Sequence, residues 1–276
     1  MATLDRLLVH PIKSLDPVSV QSATIVENGG LDLDRRYAIV ERAERSTLET
    51  DPHQAYVNGK RERRIHRLTA EYHLSDETVT LSEYDSKDER RFHLERDRDR
   101  LAAWLSEFVG YPVDVVRDDE GGYPDDMDDA GPTLLSQGTL EAVASWYDGI
   151  DATEMCRRLR PNLVVAGVPA FWEDRLYDRP DTVVPFEIGA ATFHGVNPCQ
   201  RCVVPSRDPN TGVETDGFRE TFVRRREATL PDWASEAWFD HYFRLMVNTR
   251  VPESSWQTTL ATGDTVGAVG EAQPTE

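Results

Sequence analysis

Only three cysteines, Cys156, Cys199 and Cys202, occur in 276 residues. So small and odd a count excludes the disulfide-built scaffolds of small secreted proteins. Lysine is nearly missing as well: Lys13, Lys60 and Lys87 are three of 31 basic residues, and the others are arginine. No apolar run approaches the ~20 residues that a membrane-spanning helix needs. The opening Met1-Ala2-Thr3-Leu4-Asp5 has neither the basic nor the apolar segment of a secretory signal. Positive charge is in deficit, with 50 acidic residues, a net charge of −19 and a pI near 4.8. A chain so negative repels nucleic acid and anionic membranes, and neither is an expected partner. Acidity combined with arginine over lysine suits a salt-rich cytoplasm, where ions screen self-repulsion; an ordinary acidic protein is the plainer alternative. The expectation is a reduced, cytoplasmic protein of one large domain or two closely joined ones.

The first half alternates in the manner of strands: Leu4 to Ile12, Val18 to Glu27, Tyr37 to Glu41, Ile65 to Leu74 and Thr78 to Ser82, separated by turn-forming residues. From Arg98 to Val109 the period changes, with Leu101, Trp104, Leu105, Phe108 and Val109 at helical spacing and Gly110 and Pro112 as the stop. Val113 to Val116 returns to strand. Asp118 to Asp129 is an acidic connection bearing glycine and proline. Beyond it, Leu140, Val143, Ala144 and Tyr147 share a helical face, and Arg219 to Ala228 predicts another helix. Asn162 to Ala166, Val183 to Val196 with Val203-Val204, Tyr242 to Val247 and Trp256 to Val266 predict strands. Gly270 to Glu276 reads as a frayed tail. Strands dominate without long alternating helices, so the predicted class is α+β, mainly β, built on a β-barrel with a few helices outside.

The chemistry concentrates in Asn197-Pro198-Cys199-Gln200-Arg201-Cys202, which leads to Asp208-Pro209-Asn210-Thr211-Gly212. Thiolates are soft ligands for a redox-active metal, and an adjacent guanidinium favours the thiolate form. A thioredoxin-like pair needs a helix start, which Val203-Val204-Pro205 disfavours. A zinc site would have to recruit His194 or Cys156, and two ordinary buried cysteines remain a further alternative. A cysteine–metal centre completed by non-protein ligands fits the pattern best. Lys13-Ser14, after His10-Pro11-Ile12, can hold a phosphate through one charge and one hydroxyl. Arg35-Arg36 reads as an anion clamp or a surface salt bridge, and Arg160-Pro161-Asn162 as a rim reader of a ring or phosphate or a strand cap. The Asp208 to Gly212 segment predicts a tight structural turn.

Taken together, these motifs resemble the MOSC family, and more closely its members with a MOSC N-terminal β-barrel domain, such as the amidoxime-reducing components. Arg201-Cys202 followed by Asp-Pro-x-Thr-Gly, with Arg160-Pro161-Asn162 upstream, carries the likeness, which covers nearly the whole chain. It implies an N-terminal β-barrel-like domain over residues 1–118, a MOSC domain over 119–270 and a disordered tail over 271–276. It further implies a molybdenum–molybdopterin cofactor with Cys202 as the metal thiolate and catalytic centre. Lys13, Ser14 and Arg36 would grip the pterin phosphate, Ser136 would sit on the cofactor, Arg160 and Asn162 would bind the pterin, and Gln200, Arg201 and Tyr242 would line the same pocket. The implied activity is reduction of small N-hydroxylated substrates, with electrons from a separate ferredoxin, cytochrome or flavoprotein. A cofactor carrier or a sulfur-transfer protein in cofactor maturation is the alternative. The chain departs from the family pattern at His10, where tyrosine is common, at the extra thiol Cys199, and between Val247 and Trp256, which lacks the usual glycine-bearing turn.

Overall fold

A computed structural model of the chain describes residues 1–48, 50–125, 129–267 and 269–275, without the side chains of 52 and 53. The middle of the predicted acidic connection, 126–128, and the last residue of the predicted tail lie outside the described residues.

An eight-stranded sheet organises the molecule. From edge to edge its strands are Gln273–Pro274, Thr182–Ile188, Ala191–Gln200, Arg244–Arg250, Leu134–Ser136, Leu163–Ala166, Thr3–Val9 and Val18–Val20. Leu163–Ala166 runs parallel to Leu134–Ser136 and antiparallel to Thr3–Val9, so the first strand is built into a sheet made mostly by the second half of the chain. The two edge strands do not pair with each other, and among the described residues no hydrogen-bonded closure makes a full barrel. The α+β, mainly β class is nonetheless what forms, with five α-helices among the described residues: Pro52–Ala55, Arg98–Val109, Gln137–Ala144, Ala152–Leu159 and Phe218–Ala228.

The meander Leu68–His73, Thr78–Glu83 and Glu89–His93 arises from strict alternation: Leu68, Ala70 and Tyr72 are buried while Thr69 and Glu71 face solvent. Its apolar face meets Leu101, Leu105 and Val109 on the Arg98–Val109 helix and Val113 and Val115 of the strand that follows. Gly110, at φ 80°, ends that helix and donates its N–H to Ser106 O, a left-handed cap that glycine adopts without steric cost. A separate apolar layer under the large sheet gathers Leu4, Leu7, Phe186, Phe193, Val247 and Leu260.

Several boundaries differ from expectation for local reasons. Residues 63–67 form a 3₁₀ turn, and the strand begins only at Leu68. Val204–Ser206 is likewise 3₁₀ because Pro205 has no N–H to give a ladder. Within Trp256 to Val266 only Thr259–Ala261 is strand, and the Ala152–Leu159 helix and Glu89–His93 strand were not predicted. In the expected tail, Gln273–Pro274 pairs with Thr182–Val183. Among the described residues no helix is long and apolar enough to cross a membrane.

Candidate functional site

Register brings the motifs together. Leu7 lies opposite Leu163, and the Leu8 N–H donates to Asn162 O at 2.8 Å, so the exit of the first strand runs beside Arg160-Pro161-Asn162. Gln200 lies opposite Arg244, and the Arg201 N–H donates to Phe243 O at 2.9 Å, which places the cysteine motif at the same end of the sheet. Between these ends opens a cavity of about 550 Å³. Lys13, Ser14, Arg160, Asn162, Gln200, Arg201 and Cys202 all line it.

Among the described residues nine Lys or Arg and four Asp line the cavity, so this part of its wall is positive although the whole chain is strongly negative. Lys13 and Arg35 are buried, and their counter-ions are specific. Arg35 pairs with Asp34, and its Nε and Nη2 lie 3.2 and 3.1 Å from Asp125 Oδ2. Lys13 Nζ donates to Tyr123 O (2.9 Å), Pro124 O (3.1 Å) and the Asp125 carboxylate. Burial would raise the Asp34 carboxyl, but the Arg35 charge and a hydrogen bond from His10 bring it down to about 2. His10 itself is lowered to about 3, by burial first and then by the Arg160 charge, so its imidazole is neutral at pH 7. Its backbone N–H donates to Asp34 Oδ1 at 2.7 Å.

Arg160 differs from its neighbours. Among the described residues its guanidinium has no hydrogen bond and no carboxylate partner, and burial followed by the Arg35 charge lowers its pKa. Its backbone caps the Ala152–Leu159 helix in the left-handed region at φ 57°, donating to Cys156 O at 2.8 Å. A non-glycine residue in that region, placed before a proline, is held against its own preference. Ser14 (φ 76°), Arg35 (φ 51°) and Met246 (φ 72°) share this trait and the cavity, so backbone strain is gathered around it.

The sulfur side is equally distinct. Cys202 presents an exposed free thiol. Arg201 Nη1 donates to Cys199 Sγ at 3.1 Å and Nη2 to Leu159 O at 2.9 Å, while its buried Nε has no partner among the described residues. This guanidinium therefore aligns the strand end and the helix end without a carboxylate to neutralise it. Asn162 ties strands together: Nδ2 donates to Leu8 O at 3.0 Å, and Oδ1 accepts from Thr133 N and Oγ1, each at 3.3 Å. The Asp208 to Gly212 turn folds as expected, with Asp208 Oδ1 accepting from the Asn210 and Thr211 N–H groups and Gly212 at φ 70°.

Three predicted residues are not among those lining the cavity. Arg36 pairs with Asp32 at 2.5 Å and Asp119 at 3.4 Å. Ser136 is fully buried and caps the Gln137–Ala144 helix, accepting from the Thr139 N–H at 3.1 Å. Tyr242 stacks on Phe239 with ring centroids 5.5 Å apart. Conversely, Asp34, Asp125, Arg157 and Arg207 line the cavity without having been singled out for it, and Arg35, read only jointly with Arg36, lines it too. Among the described residues no group of three His, Cys, Asp or Glu is arranged to hold a metal, so a protein-only zinc site has no ligand set there.

Two family models match the chain: the MOSC N-terminal beta barrel domain over residues 1–112 and the MOSC domain over residues 133–267. Mitochondrial amidoxime-reducing component 1 of Danio rerio is 28% identical over 253 residues, covering 77% of this chain and 71% of that protein. The crystal structure of the YUAD protein from Bacillus subtilis aligns over 98% of this chain and 96% of that one, with a TM-score of 0.38 and 10% sequence identity, a likeness too loose to carry an argument.

Proposed function

Because the chain belongs to the MOSC family, with a MOSC N-terminal beta barrel domain ahead of its MOSC domain, we propose that the cavity binds a molybdenum-bearing pterin and that the loaded protein is an oxidoreductase for small N-hydroxylated compounds. The observation that carries this reading is Arg160, a half-buried guanidinium with no hydrogen bond or ion pair among the described residues, facing the same cavity as the Cys202 thiol. A cation partly withdrawn from water and lacking an ion pair is destabilising, and a bound anion offsets that cost. The donor set fits such a cofactor: cations for a phosphate, a free thiol for the metal, and few carboxylates to repel it.

In this reading Cys202 supplies the protein sulfur to the metal, and Arg160 with Lys13 and Ser14 takes the phosphate. Arg35 fills the place that the resemblance gives to Arg36, since Arg35 lines the cavity and Arg36 pairs with Asp32 and Asp119 away from it. Asn162 positions Arg35 and the strand ends rather than reading the ring, because its amide is engaged on both sides. Arg201 holds the Cys199–Cys202 segment against the Ala152–Leu159 helix. When bound, the metal supplies the two-electron chemistry that removes oxygen from nitrogen; the protein's share is binding, orientation and charge. Electrons come from a separate donor, a ferredoxin, a cytochrome or a flavoprotein. The namesake activity of the Danio rerio relative, amidoxime reduction, points to the same substrate class.

Molybdenum and pterin contents of the purified chain and of Cys202→Ala test the reading. The expected result is near-stoichiometric metal in the native chain, a much lower content in the variant, and turnover of an amidoxime with a chemically reduced dye. Equal, near-zero molybdenum in both would remove the proposal. Bound cofactor without turnover would instead favour a carrier.

A further inference from the structure

The acidic connection does more than join two parts of the chain: residues 121–125 lie as a strap over the deepest cations of the cavity. Gly122, at φ 69°, passes so close to the backbone of Asp34 and Arg35 that a Cβ would meet the Arg35 carbonyl oxygen at 2.7 Å. The Tyr123 N–H donates to Arg35 O at 2.8 Å, and Asn28 Nδ2 donates to Gly121 O at 3.1 Å, which fixes the strap's course. At its end, Asp125 sends one carboxylate oxygen to Lys13 and the other to Arg35. The asymmetry in exposure is large. The Asp125 side chain is 66% exposed, whereas those of Lys13 and Arg35 are 5% and 9% exposed. The cations are fixed in the wall, and the carboxylate reaches them from the solvent side.

We propose that Asp125 is an internal competitor for the anion site, occupying the position of a ligand phosphate on Lys13 and Arg35 and swinging out to solvent when that phosphate binds. The inference rests on the reading that this cavity takes a phosphate-bearing cofactor. Charge decides the exchange. One carboxylate brings a single negative charge to a wall that also holds Arg160, which has no ion pair among the described residues, while a phosphate monoester brings nearly two and more acceptor oxygens. Releasing Asp125 gives up its contacts with Lys13 and Arg35, which the larger charge of the phosphate replaces, and its 66% exposed side chain has solvent to move into. Without a ligand, the same carboxylate relieves the mutual repulsion of Lys13, Arg35 and Arg160, each of which acts on Asp125. The strap thus keeps the empty site folded and sets a threshold that weak, singly charged anions do not pass.

The test is calorimetric titration of inorganic phosphate into the full-length, pterin-free chain at constant ionic strength, wild type against Asp125→Asn. Removing a competitor that leaves about a tenth of the sites free at any moment tightens phosphate binding by about tenfold. Asp125→Ser, which also lacks the charge, must show the same gain and guards against a folding defect peculiar to one variant. Equal affinity in wild type and variants, weaker binding in the variants, or no phosphate binding by any of them would each overturn the proposal. Pterin content of the wild type as isolated is read separately. A pterin-loaded wild type with no gain in the variants discards the competitor while leaving the cofactor reading intact.

Discussion

Two clusters of charge lie within this fold, one fully buried and one on the cavity wall, and they are built to opposite specifications. In the first, Arg226 Nη2 donates to both oxygens of Asp174 at 2.7 Å, and the two side chains are 0% and 1% exposed. Tyr177 Oη donates to Asp174 Oδ1 at 2.7 Å, and the rings of Phe171 and Phe239 lie 4.9 and 5.2 Å from the guanidinium. One positive and one negative charge meet with no cavity between them. In the second, among the described residues, Lys13, Arg35 and Arg160 face Asp34 and Asp125, Asp16 is engaged by Arg157, and Arg160 is left without an ion pair. In the first cluster the Arg226 charge is matched by Asp174 within the chain, although Arg226 Nη1 has no partner among the described residues. The second becomes complete only with something added, and that surplus distinguishes a binding site from a structural ion pair.

The comparison breaks most sharply through stability. Asp174→Ala leaves Arg226 buried without its carboxylate and is expected to cost ~3–5 kcal/mol in denaturant unfolding. The adjacent Glu173, fully buried and with both oxygens unpartnered among the described residues, has its carboxyl raised to about 7 by burial and then by Asp174. Its folded pKa lies above the unfolded value, so the stabilised form is the protonated one. That contribution is full below the unfolded pKa, declines as pH rises through about 7 and is absent above it, a change of ~3 kcal/mol. Glu173→Gln should abolish the decline, as unfolding curves between pH 4 and pH 9 (about the usable range) would show. The open cluster should respond in the opposite way. Arg160→Gly removes an unpaired cation and suits the left-handed backbone, so it should leave stability unchanged or raise it by ~0.5–1 kcal/mol while abolishing pterin binding. A loss comparable with that of Asp174→Ala would show that Arg160 is structural, and the contrast would vanish.

How far the residues revealed this in advance depends on how local each signal was. The Arg98–Val109 helix has an apolar face over about three turns and a glycine stop, and its observed bounds are those predicted. The Ala152–Leu159 helix has only eight residues, although Ala152, Met155, Cys156 and Leu159 keep helical spacing. Its usable signal was Asp151, whose side chain accepts from the Glu154 N–H, an Asp-x-x-Glu start of capping type. Strand Glu89–His93 buries only Phe92 and showed no alternation. Within the site, Lys13, Arg160 and Cys202 stood out because lysines, cysteines and Arg-Pro pairs are scarce or conspicuous. Between Arg35 and Arg36 nothing local could choose: adjacent side chains point apart, and which one turns inward depends on the left-handed φ of Arg35. Ser136 reads equally well as a ligand and as a helix cap, and the cap is the contact it makes. The role of Asp125 was invisible, since its partners Lys13 and Arg35 lie 112 and 90 residues away.

The placement of the first strand reaches into the birth of the molecule. Thr3–Val9 takes one ladder neighbour from Val18–Val20 and the other from Leu163–Ala166. During synthesis, the segment carrying Lys13 therefore leaves the ribosome long before its second neighbour exists, with one edge bare. Assembly of the large sheet must wait for more than half of the polypeptide, a topology that slows folding and leaves the nascent chain dependent on protection from association.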